Sequence, residues 1–135
     1  MNHSFNTDMA KKYGLLEAVL LENIAHWLDK NLANNANFKE GRYWTYNSSK
    51  GFAQQFDYAS AHQIRRALDS LVEKKVLIRS AFNKAGFDKT SWYTFADEFI
   101  LSDDFPFGKF ARHIGKTATR FGKFAKPIPD INTDI

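Results

Sequence analysis

"SAHQIRRALDSLVEKK", residues 60–75, decides the fold. Ser60 followed three places later by Gln63 is a capping-box signature, in which each side chain satisfies a backbone N–H that the first helical turn leaves orphaned. Projected at about 100° per residue, Ile64, Leu68 and Leu71 share one face, with Ala61 and Ala67 at its edges. His62, Arg66, Asp69 and Glu73 lie opposite, flanked by Gln63, Arg65 and Ser70. The helix should end near Lys74–Lys75, where cations favour the negative end of the helix dipole. The spacing therefore predicts a core-facing stripe and an open outer face.

Moving outward, "VLIRSAF" (76–82) reads as a strand, "NKAGFDKT" (83–90) as a connection, and "SWYTF" (91–95) as a returning strand. In the last, Trp92 and Thr94 take one face and Tyr93 and Phe95 the other. Upstream, "DYA" (57–59) breaks the helical pattern, and "NSS" (47–49) offers a cap for a helix with Phe52, Ala53 and Phe56 inward. Gly51 weakens that helix by about 1 kcal/mol relative to Ala. "YWTY" (43–46) looks like a short strand, and "NNANFKEG" (34–41) supplies turn formers. Residues 13–33 carry the strongest helical pattern, with Leu16, Leu20, Ile24, Trp27 and Leu28 as the expected buried stripe.

The order is helix, short strand, helix, tight turn, helix, strand, loop, strand. That order predicts a mainly α, α+β chain with a small β-hairpin: a winged helix-turn-helix over residues 1–101. Residues 102–135 read as a basic, largely unstructured tail.

Charge sharpens that division. Residues 1–104 hold 13 Lys/Arg and 13 Asp/Glu, so the +4 net charge comes from residues 105–135. Lys109, Arg112, Lys116, Arg120, Lys123 and Lys126 fall in a stretch with no acid, and such tails attract phosphates without regard to sequence. "FGKFAR" (107–112) recurs as "FGKFAK" (121–126), so Phe107, Phe110, Phe121 and Phe124 are candidate anchors for a partner or for the domain itself.

Cysteine is absent, which removes disulfides, thiolate metal sites and cysteine nucleophiles. No apolar run approaches the roughly 18 residues of a membrane span, and the amino terminus lacks the apolar core of a secretory signal. A cytoplasmic location is expected. His3, His26, His62 and His113 lack metal-ligand spacing, and there is neither a glycine-rich phosphate loop nor a nucleophile elbow. We expect no enzyme, no cofactor and no metal.

DNA contact is the chemistry left. The candidates are His62, Gln63 and Arg66, with Ser60 and Arg65 nearer the phosphates. Arg can donate bidentately to guanine and Gln can pair with adenine, whereas Asp69 and Glu73 would be repelled, so contact should stop near Arg66. In the wing, Lys84 and Lys89 would reach flanking phosphates. Asn83 joins them as a candidate and, with Gly86, Asp88 and Thr90, shapes the turns. Trp44, Trp92 and Tyr93 read as a seal between sheet and helices, with base stacking as the lesser alternative.

The stretches "GRYWTYNS" (41–48), "IRRAL" (64–68) and "FNKAGFDKTSWY" (82–93) resemble the winged-helix domain of phage- and prophage-encoded replication proteins, often grouped with replisome organisers and initiators. The resemblance spans roughly residues 4–100, and "KPIPDINTDI" is similar to tails of the same group. That family commonly has an arginine after the wing aspartate, where Lys89 stands here, and a glycine where Ala81–Phe82 precede Asn83. Lys89 keeps the charge but loses the planar fork.

The resemblance implies binding to double-stranded origin DNA, with the tail recruiting a replicative helicase or helicase loader. Many relatives continue with a further helical region, so a chain ending at Ile135 would be a short protein, a truncated form or an amino-terminal fragment. A transcriptional regulator with the same contacts and a protein–protein adaptor are the alternatives. The long first helix could supply a homodimer face.

Overall fold

The computed structural model describes residues 2–82 and 90–108. Among these the chain is α+β: five helices and two small antiparallel sheets. Helix α1 (Thr7–Tyr13) starts at Asn6, whose side chain accepts from the N–H groups of Asp8 and Met9. It meets α2 (Leu15–Ala33) at Gly14, so the helix expected over residues 13–33 is α2, and α1 is an additional helix in front of it.

Helix α2 buries Ala18 to Leu21, Ile24, Ala25 and Leu28. Its stripe is centred near Ile24, Leu28 and Leu21. Trp27, expected inside, therefore lies at the edge and is 38% exposed, and Leu16 is only half-buried.

Residues 34–41 are more than turn formers. Strands β1 (Phe38–Lys39) and β2 (Arg42–Tyr43) form a hairpin, with Lys39 opposite Arg42. Glu40 (φ 54°) and Gly41 (φ 79°) both adopt left-handed backbone, as a two-residue turn of this kind requires. Gly41 does so without steric cost, and Glu40 does not. The Arg42 guanidinium grips Asp97 with both nitrogens, at 2.8 and 3.0 Å, fastening the hairpin to a segment 55 residues further along.

Strand β3 (Thr45–Asn47) leads to α3 (Ser49–Gln55), where Ser48 caps through its side chain as expected. A Cβ at Gly51 would collide with the Asn47 carboxamide, which itself accepts from the Ser48 N–H. The glycine leaves room for that carboxamide, and a larger residue would displace it from the Ser48 N–H. Residues 56–60 separate α3 from α4 (Ala61–Glu73). Then come β4 (Leu77–Ser80), β5 (Ser91–Phe95) and the short α5 (Asp97–Ile100).

Strand β5 is central in the sheet β3-β5-β4, with Thr45 opposite Tyr93 and Leu77 opposite Phe95. Tyr93, Phe95 and Leu77 join Phe52, Phe56 and the buried residues of α2 and α4 in one core. Phe105 and Phe107, assigned to the tail from sequence, also pack here: the Phe107 ring lies parallel to Phe95 at 5.4 Å. Residues 102–107 are therefore part of this packed unit, because their aromatic side chains find apolar neighbours on β5 and α5.

Candidate nucleic-acid interface

Helix α4 begins with the full capping box: Ser60 N–H donates to Gln63 Oε1 at 2.8 Å, and Gln63 N–H donates to Ser60 Oγ at 3.1 Å. Ile64, Ala67, Leu68 and Leu71 are buried, so one face is fixed against the core. Ser60, His62, Gln63, Arg65 and Arg66 are all exposed and lie within the cap and first two turns. These five candidates are brought together on one open surface.

The turn before them is held from outside. His3 stacks on buried Phe56, with ring centroids 4.5 Å apart, and its Nδ1 lies 2.9 Å from the Tyr58 hydroxyl. Burial, and secondarily the charge of Asp57, pushes the Tyr58 phenol above its ordinary range. A cleft of about 660 Å³ runs beside this turn, lined by Phe5, Leu15 and Tyr58 and reaching Gln63.

Two details modify the expected chemistry. The Gln63 carboxamide oxygen already serves the cap, so pairing with adenine through both oxygen and nitrogen would sacrifice that bond, at about 1 kcal/mol. Asp69 is paired with Arg79 on β4 at 2.7 Å, so its repulsion of phosphate is partly offset. Burial disfavours the Arg79 charge, but hydrogen bonds with Tyr93 and Asp69 outweigh it and hold the guanidinium above its usual range. Arg79 was missed from sequence, although strand alternation puts it on the same face as buried Leu77, turned toward the helices.

Asn83, Lys84 and Lys89 of the expected wing lie outside the described residues, as do Lys109, Arg112, Lys116, Arg120, Lys123 and Lys126. Among the described residues, no cluster of three or more His, Asp or Glu could hold a metal, and no helix is long and apolar enough to cross a membrane. Comparison with protein-family models, curated proteins and solved structures finds no match.

Proposed function

We propose that this protein is a winged helix-turn-helix that binds double-stranded DNA sequence-specifically through the outer face of α4. The observation that carries the reading is the grouping of exposed His62, Gln63, Arg65 and Arg66 on the N-terminal half of a helix whose other face is locked in the core. Such a helix can enter a major groove without disturbing its own packing. The succession α2, β3, α3, α4, β4, β5, with β3 paired to β5, supports the same reading. Backbone N–H groups at the α4 start add phosphate attraction beyond those the cap consumes.

The sequence resemblance supports a role in phage or prophage replication within the bacterial cytoplasm, the basic tail recruiting a helicase or its loader. The protein acts in this reading by binding, not by catalysis.

Fluorescence anisotropy on duplex DNA across a salt series tests the DNA contact. Arg65→Ala with Arg66→Ala should weaken binding and flatten the logarithmic salt slope by about 0.9 for each lost phosphate contact. An unchanged affinity and slope would overturn the assignment of α4. Genome-wide mapping with a pull-down on residues 108–135 tests the biological role. Origin-clustered sites and a captured helicase or loader are expected, whereas promoter sites with no replication partner would mean a transcriptional regulator.

A further inference from the structure

The sheet face turned away from the core is open at its β3 edge, where it carries its own chemistry. The alternation that sends Tyr93 and Phe95 into the core turns Trp92 to the opposite side. There Trp92 stands directly across from Tyr46 on β3, ring centroids 4.5 Å apart and planes tilted by 37°. Tyr46 is 53% exposed, although aromatic side chains of this size are usually well covered.

The pair is braced from behind. Phe82 meets Trp92 edge-on at 5.6 Å and buried Trp44 at 5.0 Å. The Trp44 indole N–H donates to the Lys39 carbonyl at 2.8 Å, which fixes the β1–β2 hairpin beside the rings. The Lys39 ammonium consequently sits 5.5 Å from the centre of the Trp92 ring and 5.9 Å from that of Phe82. A half-open tyrosine ring on a rigid aromatic base, with a cation alongside, matches a nucleobase and its phosphate.

We propose that this outer sheet face binds single-stranded DNA, with a base stacked on Tyr46 and the adjoining phosphate met by Lys39. A duplex cannot use the platform in this way, because its internal bases have both π-faces covered by their neighbours. The choice of DNA over RNA rests on the duplex reading of α4: a protein that holds duplex DNA meets unpaired DNA wherever that duplex opens. The two surfaces lie on different faces of the fold, so one chain would hold paired and unpaired DNA at once.

The test is anisotropy with labelled oligothymidylate, its uridine counterpart and a DNA duplex, using the full chain. Tyr46→Ala should weaken oligothymidylate binding roughly tenfold, the scale of one lost stacked base, and leave duplex affinity unchanged. Tyr46→Phe keeps the ring and should retain binding. Lys39→Ala should flatten the oligothymidylate salt slope by about 0.7. Arg65→Ala with Arg66→Ala should show the converse, losing duplex and keeping the single strand, so failure of either surface is separately visible. Thermal melting of Tyr46→Ala should stay cooperative and drop by only a few degrees, the cost of one cross-strand aromatic pair.

Absence of oligothymidylate binding by the parent chain, or an unaffected Tyr46→Ala, would overturn the proposal. So would an equal loss of duplex affinity in Tyr46→Ala, which would make Tyr46 a flank of the duplex site. Tighter binding of the uridine oligomer would exclude DNA as the occupant.

Discussion

Helices α2 and α4 are both anchored in the same core, yet they are used in opposite ways. Helix α2 buries four consecutive residues, Ala18 to Leu21, and is packed by α1, α4 and strands of both sheets. Helix α4 buries a single stripe and turns Arg65, Arg66, Asp69 and Glu73 to solvent. A helix packed on several sides can be changed on those sides only at the expense of the fold. A helix held along one stripe can vary its outer face freely, and that is where recognition chemistry can be placed.

The sharpest way to break this comparison is a cavity in α2. Leu20 is fully buried, so Leu20→Ala should lower stability by about 2–5 kcal/mol, read from the urea midpoint at unchanged slope. Substituting Arg65 or Arg66 on α4 should stay within about 0.5 kcal/mol, as expected of exposed side chains without packing partners. A Leu20→Ala loss below about 1 kcal/mol would show that the inner face of α2 is not packed as described.

The helix starts offer the next test. Helix α2 begins at Gly14 with no side-chain cap, because the preceding α1 runs into it, whereas α4 begins after an exposed turn and relies on Ser60 and Gln63. Ser60→Ala should cost about 1 kcal/mol. Because the two bonds form one box, Ser60→Ala with Gln63→Ala should together cost much less than the sum of the single changes, measured as a double-mutant cycle. Strict additivity would mean the two bonds form independently.

These differences also explain what the sequence could tell. The cap, the Ile64–Leu68–Leu71 stripe and the span of β5 were all legible, since each depends on local spacing. Trp27 was misjudged because its period matches Leu20 and Ile24, while the burial of Ala18, Leu21 and Ala25 rotates the real stripe away from it. Strand β1 was missed and β2 was merged with β3 into one expected strand over 43–46, because two residues cannot display an alternation and Glu40 gives no hint of left-handed backbone. The Asp69–Arg79 pair and the Lys39–Trp92 contact join separate elements, so no window along the chain contains them.

The smallest effect lies at the helix ends, which share one hydrogen-bond pattern. At α2, Asn35 N–H bonds to Leu32 and Ala36 N–H to Asn31; at α4, Lys75 N–H bonds to Val72 and Val76 N–H to Leu71. Each turn passes through left-handed backbone, at Asn35 (φ 53°) and Lys75 (φ 61°). Asparagine tolerates that conformation, but lysine bears a cost of about 1–2 kcal/mol. Lys75→Gly relieves it, less about 0.4–1 kcal/mol for the looser unfolded chain and about 0.3 kcal/mol for the lost cation at the helix end. A net gain of about 0.5 kcal/mol is expected by urea denaturation, with Asn35→Gly giving less. Duplex affinity should not change, because the DNA contact proposed for α4 ends near Arg66. A loss of duplex affinity in Lys75→Gly would extend the reading face to the far end of the helix and erase the boundary drawn at Asp69.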